Sequence, residues 1–253
     1  MPLPELTLLI AGAVVAGFVQ GLAGFCFSMV AMSFWVWGLA PPLAAAMAVF
    51  GSLVGQLIAA FSVPRAWSVA LLAPFVAGGL VGIPLGVWAL PHLDAHLFKL
   101  VLGALLVLAC PAMLMAARLP VLAPRAPGAL RLADGLAGAA GGFMGGLGGF
   151  TGVVPSLWCS LRGLDKGAQR GVIQNFNLAT LAVTMAAYVA TGAITRPMWP
   201  LLPVVAAALA LPSLVGARAY RRLSEQRFRQ VVLGLLTLSG AAMLATALPR
   251  VWG

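Results

Sequence analysis

Apolar residues fall in eight long blocks along the chain, at roughly 6–38, 43–63, 67–91, 97–117, 135–161, 171–193, 199–217 and 230–248, with the charged residues in the gaps. Blocks of this length predict membrane-crossing helices, because a hydrocarbon core takes about 20 apolar residues to span. A basic, proline-bearing stretch from Arg118 to Arg131 divides the blocks into two sets of four. The expected organisation is a first transmembrane unit over 1–117, a basic cytoplasmic linker over 118–131 and a second transmembrane unit over 132–253.

The two units carry the same phrase. Gly17-Phe18-Val19-Gln20-Gly21-Leu22-Ala23-Gly24-Phe25 returns as Gly142-Phe143-Met144-Gly145-Gly146-Leu147-Gly148-Gly149-Phe150, at a constant offset of 125 with six identical positions. A second match, at an offset of 130, relates Leu93 to Leu108 with Leu223 to Leu238. As one straight helix, residues 8–37 would reach about 45 Å at 1.5 Å per residue, well past a ~30 Å hydrocarbon core. Breaking the segment at Gly21, Ala23 and Gly24, and its counterpart at Gly145, Gly146, Gly148 and Gly149, leaves arms of about 10–14 residues, the length of re-entrant half-helices.

The basic residues favour re-entry of the second hairpin; no basic residue precedes the first, whose re-entry follows from the repeat alone. If residues 135–161 dip in and return, Arg65, Arg118, Arg125, Arg131, Arg162, Lys166, Arg170, Arg218, Arg221, Arg222, Arg227 and Arg229 share one side. Only Lys99, Arg196 and Arg250 stay on the other, as the positive-inside rule requires. With both hairpins re-entrant, each half has three full crossings, an odd number, so the halves are inverted and both termini lie outside the cytoplasm. The expected fold is an all-α integral membrane protein of two inverted repeats, each a glycine-broken re-entrant hairpin plus three transmembrane helices.

Composition agrees with a bilayer. The chain is 62% hydrophobic and 8% charged, with a mean hydropathy of +1.05, which leaves too little polar surface for a water-soluble globule. The N-terminus lacks the basic flank and cleavage site of a signal peptide, so the first apolar block is expected to be retained. A net charge of +10 is no sign of nucleic-acid binding when its carriers lie in short loops between spans. Cys26, Cys110 and Cys159 have no metal-ligand spacing and read as small core residues. Trp35, Trp37, Trp67, Trp88, Trp199 and Trp252 near segment ends read as interface anchors.

The acidic residues Glu5, Asp94, Asp134, Asp165 and Glu225 all fall at segment ends or in loops, so no embedded proton carrier is expected. No triad, carboxylate pair or nucleotide loop appears, and an enzyme is not expected. His92 and His96 have i,i+4 spacing, but they align with Arg222 and Gln226 in the repeat, and Asp94 reads as a helix N-cap beside them. No metal and no cofactor are expected. An anion can still be held, because the N-terminus of each half-helix presents unpaired N–H groups and a positive dipole end.

Beyond the glycines, Gln174, Asn177, Thr184 and Tyr188 recur at near-helical spacing and predict a polar stripe facing inward. Ser52 and Gln56 are lesser candidates in the first half, where the corresponding helix is less polar. Gly78, Gly82 and Gly86 fit close helix packing. The expected substrate site combines Gln20, Gly21 and Gly24 with Gly146, Gly148, Gly149 and Thr151, and adds Ser52, Gln174, Asn175 and Asn177.

At Gly21-Leu22-Ala23-Gly24-Phe25, at Gly146-Leu147-Gly148-Gly149-Phe150-Thr151-Gly152 and at Arg170 to Asn177, the chain resembles the TauE/SafE family of sulfite and organosulfonate exporters over essentially its full length. The first-half phrase, with Ala23 and Phe25-Cys26, is poorer in glycine than the family pattern. The resemblance implies a multi-pass permease of the bacterial inner membrane that moves a small sulfur-containing anion such as sulfite, sulfoacetate or thiosulfate. Its partners would be that anion and the lipid bilayer; a passive anion channel or a carboxylate permease of the same fold is the alternative.

Overall fold

The computed structural model describes residues 2–24, 26–62, 68–116, 126–219 and 225–248. Ten α-helices follow one another through these residues: α1 Leu3–Ala23, α2 Phe27–Trp35, α3 Pro41–Ser62, α4 Val69–Ala89, α5 Ala95–Met115, α6 Pro127–Gly148, α7 Val153–Leu161, α8 Lys166–Ala190, α9 Leu201–Ala219 and α10 Glu225–Ala247. Short 3-10 turns at Leu90–His92 and Arg196–Met198 lead into α5 and α9. Seven of the described helices, α1, α3, α4, α5, α8, α9 and α10, are long and apolar enough to cross a membrane. The eighth long helix, α6, has the length but is diluted by glycine and carries Arg131 and Asp134.

The first and fifth apolar blocks are each broken once, and the arms are unequal. α1 and α6 run for 21 and 22 residues, whereas α2 and α7 have 9 each. The expected arms of 10–14 residues are therefore corrected to one full-length and one half-length helix. The break also falls later than expected, because Gly21, Ala23, Gly145, Gly146 and Gly148 stay helical. Of the glycines in the two phrases, only Gly24 (φ 75°) and Gly149 (φ 82°) take the left-handed conformation that ends a helix, and their N–H groups cap the carbonyls of Gln20 and Gly145. Each short helix then runs back along its long partner. The Trp35 indole reaches the Leu9 carbonyl at 3.2 Å, and the Trp158 indole reaches Asp134 Oδ1 at 2.7 Å.

Trp35 is fully buried through that bond, so it is part of the packing and not an interface anchor. Trp37, Trp88 and Trp199 are exposed, with Lys99 stacked over the Trp37 ring. Trp67 and Trp252 lie outside the described residues, as do most of the basic linker and part of the loop around Arg221. Asp94 caps α5 by accepting the Leu97 N–H, as its position predicts; its repeat partner Ser224 is outside the described residues.

α3 and α8 are the most enclosed of the candidate spans, whereas α4, α9 and α10 keep wide apolar faces outward, including Val81, Leu211 and Leu235. Around this centre the halves interlock: α6 packs on α4, and α1 packs on α9. The contacts depend on missing side chains. A Cβ on Gly82 would strike the Ala139 carbonyl and one on Gly142 the Gly79 carbonyl, while Gly17 and Gly21 sit against Leu209 and Ser213 of α9. Glycine lets two backbones approach this closely, which drives association in lipid, where burial of apolar surface cannot. Ser213 Oγ adds a hydrogen bond to the Gly17 carbonyl at 2.9 Å.

α5 and α10 also pack together, and they run in opposite directions: Gly103 lies beside Gly240 and Leu244, and Gly240 beside Leu106 and Val107. Exchanging α1–α5 with α6–α10 preserves the pairing. The α4 to α6 contact becomes α9 to α1, α4 to α8 becomes α9 to α3, and the α3–α8 and α5–α10 pairs map onto themselves.

Gly142→Leu should therefore prevent α4 and α6 from closing, seen as aggregation or loss of a thermal transition in detergent. Gly234→Ala, where a Cβ meets nothing within 4 Å, should leave the transition unchanged or slightly higher, because alanine has the better helix propensity.

Candidate functional site

The two turns face each other across a cavity. The first turn and its flanks contribute Gln20, Cys26, Phe27, Ser28 and Met29; the second contributes Gly149, Phe150, Thr151, Gly152 and Val153. Ser52 and Gln56 of α3 and Asn177 and Leu181 of α8 complete the wall. The turns touch: a Cβ on Gly149 would collide with Ser28 Oγ and lie 3.3 Å from the Val49 Cα. Gly149 is thus fixed twice, by a positive φ and by lack of room.

The cavity lies well inside the bundle. Gly24 sits level with Gln56, about two-thirds of the way along α3, and Thr151 sits level with Asn177, near the middle of α8. Breaking a helix here exposes backbone groups that lipid cannot satisfy. Side chains take up part of that demand. Gln20 Oε1 accepts the Phe27 N–H at 3.1 Å, Gln56 Nε2 donates to the Gly24 carbonyl at 3.0 Å, and Tyr188 donates to the Gly146 carbonyl at 2.7 Å.

Further polar groups belong to residues that line the cavity. Gln20 is 2% exposed, and its Nε2 has no partner. The Ser28 and Ser52 hydroxyls are 2.7 Å apart, and Thr151 donates to Asn177 Oδ1 at 2.8 Å, which leaves the Asn177 amide hydrogens against Gly152. α2 and α7 both begin at the cavity; the first N–H groups of a helix have no partner within it, and here Gln20 Oε1 takes that of Phe27, the Phe150 carbonyl takes that of Val153, and Pro155 has none. The lining contains no Lys, Arg, His, Asp or Glu. It is a neutral chamber, polar on one part of its wall and lined elsewhere by Phe27, Met29, Phe150, Val153 and Leu181.

The residues expected to form the site separate into three groups. Gln20, Ser52, Gly149, Thr151 and Asn177 line the cavity, as does Gln56. Gly24 stands at its edge, next to the Gln174 amide, whose Oε1 is buried without a partner. Gly21, Gly146, Gly148 and Asn175 are outside the lining: Gly21 packs on α9, Gly146 on α4, and Gly148 against Met32. The polar stripe of α8 does face inward, since Gln174, Asn177, Thr184 and Tyr188 are all buried. Thr180 completes it and was readable at i+3 from Asn177.

Cys26, Ser28 and Met29 were not anticipated. Cys26 is a non-glycine residue with a left-handed backbone (φ 89°), and with Phe27 the three occupy the first four positions after the repeated phrase, where a returning helix must begin. His92 is taken by the Trp88 carbonyl and ring, and no cluster of metal-ligating residues occurs among the described residues.

Asp134 corrects the expectation that every acidic residue falls at a segment end or in a loop. It lies inside α6, 1% exposed, because that helix begins at Pro127 and not after the aspartate. It forms an ion pair with Arg162 at the end of α7 while accepting the Trp158 indole. The carboxylate therefore clamps the base of the second hairpin, away from the cavity.

Comparison with known proteins adds one match. The family model described as sulfite exporter TauE/SafE matches residues 9–243. No curated protein and no solved structure matches the chain.

Asp134→Leu should lower the melting temperature of the purified protein by stranding Arg162. Asp134→Leu combined with Arg162→Leu should recover much of that loss, because an apolar pair carries no desolvation penalty. A double variant as unstable as the single one would show that the clamp acts through something other than the ion pair.

Proposed function

The chain belongs to the TauE/SafE family of sulfite exporters, and from that premise we propose that it carries a small sulfur-containing anion, sulfite or an organosulfonate, out of the cell across the bacterial inner membrane. The observation that carries this reading is the neutral cavity where two broken helices begin face to face. Substrate sites of secondary transporters lie at such breaks, since half-helix N-termini meet anionic groups with N–H donors and a favourable dipole.

In this reading the substrate is held by Gln20, Thr151 and Asn177, with the hydrogen-bonded Ser28–Ser52 pair beside it and Gly149 keeping the turns close enough to share it. Gln174 and Gly24 guard the edge. Gly21 and Gly146 act at one remove, by seating the hairpins on α9 and α4. The two halves form inverted repeats, a reading supported by the opposite directions of the repeat-related helices α5 and α10. Arg131, Arg162, Lys166, Arg170 and Arg218 then face the cytoplasm, and both termini lie outside it. Export of an anion is favoured by an inside-negative potential, by about 2.3 kcal/mol per charge per 100 mV.

A carboxylate permease of the same fold is the second reading, favoured by a lining in which no group is specific for sulfur. Competition between sulfite and acetate for uptake separates the two.

In reconstituted vesicles, Asn177→Leu and Gly149→Leu should each reduce sulfite flux at least tenfold while Gly234→Ala transports normally. Normal flux in both would remove the cavity from the transport path. Flux should also saturate with substrate, in contrast to a passive channel. Cysteine labelling should place the loop of Arg162 to Arg170 in the cytoplasm and the N-terminus outside it.

A further inference from the structure

From the distribution of charge around the cavity we infer that it accepts only singly charged anions: hydrogen sulfite and not the sulfite dianion, and a monoanionic sulfonate but not sulfate. This rests on the transport reading above and adds the ionisation state of the cargo.

The positive charge available is small and countable. The lining has no cationic side chain. Arg162 is at the far end of α7, about 14 Å from its start at 1.5 Å per residue, and is neutralised by Asp134. What remains is the N-terminal ends of α2 and α7, worth about half an elementary charge each. Their sum is at most about one.

Two features press that ceiling downward. The C-terminal ends of α1 and α6 reach the same turns with the opposite partial charge. They are blunted by the Gly24, Gly149 and Phe150 N–H groups, by Gln56 Nε2 and by the Tyr188 hydroxyl, but not reversed. The enclosure is also deep, so solvent does little to offset an uncompensated second charge.

A ligand is nonetheless expected there. Gln20 is held by its Oε1 to the start of α2, leaving a buried Nε2 donor with no partner in the protein. An unmet donor beside two helix N-termini fits an oxygen of one negative charge. A monoanion matches this supply; a dianion leaves a full charge unbalanced. Hydrogen sulfite can also use its proton, because the Ser28 and Ser52 hydroxyl oxygens can accept.

The test uses the full-length protein in vesicles held at a fixed potential, with labelled sulfite, methanesulfonate and sulfate as separate probes. Above the pH at which hydrogen sulfite loses its proton, sulfite uptake at constant total concentration should fall about tenfold per pH unit, as the monoanion fraction does. Uptake of methanesulfonate, whose charge is constant, should not follow that fall, sulfate should be excluded, and the sulfite current should correspond to one charge per sulfur. Sulfite uptake that holds or rises with pH, a fall shared with methanesulfonate, sulfate uptake equal to that of sulfite, or two charges per sulfur each overturns the inference while leaving the transport reading intact. No uptake of any of the three overturns both.

Discussion

A backbone broken inside a bilayer has to find every hydrogen bond within the protein or in an enclosed polar space, because lipid offers none. The architecture around the two turns follows from that constraint. At Gly24 and Gly149 the helix ends are closed by their own left-handed caps, and Gln20, Gln56 and Tyr188 take up backbone groups that the caps cannot reach. These side chains come from α1, α3 and α8, so the turns are held only when the surrounding helices are in place. At the starts of α2 and α7, which both border the cavity, the Phe27 N–H is met by Gln20 and the Val153 N–H by the Phe150 carbonyl.

Holding two turns that close together requires the long arms to be seated firmly, and lipid supplies no hydrophobic force between helices. Close backbone approach takes its place. α6 seats itself in the first half on α4, and α1 seats itself in the second half on α9, so each hairpin is gripped by the half it does not belong to. Displacing one hairpin disturbs both halves, and any motion that opens the cavity must slide along these glycine faces or bend within them. Pro74 and Pro84 in α4 and Pro212 in α9 lie in the helices that grip, where a missing backbone N–H makes bending easier.

The repeated phrase announced two hairpins, and the polar stripe of α8 was legible from its spacing alone. The phrase in fact encodes two jobs at once. Gly17 and Gly21, with their counterparts Gly142 and Gly146, are packing surfaces, whereas Gly24 and Gly149 are the break. A glycine four residues from another looks the same in sequence whether a neighbouring backbone or a ligand comes close, and for that reason Gly21 and Gly146 were expected at the cavity. The unequal arms were hidden as well, since hydrophobicity runs unbroken through Ala23 and Gly148 and only the left-handed caps mark the end. Cys26 gave no signal, because a cysteine with positive φ is imposed by its surroundings and is not a preference of the residue.

The base of each hairpin shows what duplication keeps when residues change. Leu9 and Asp134 are the same repeat position, at the offset of 125, and each receives an indole N–H from the returning short helix. The tryptophans are not equivalent: Trp35 matches Ser160, and Trp158 matches Ser33. In the first half the acceptor is a backbone carbonyl of an apolar residue; in the second it is a carboxylate that must also be neutralised, and Arg162 does so. The requirement that survives is geometric, namely that the short helix be tied to the long one at one level so that the turn beyond it is aimed at its twin. An alignment of identities cannot see this, because the tie is made by different atoms from different positions. The second tie holds a charge pair that the first lacks, so the two hairpins, alike in shape, differ in what it takes to release them.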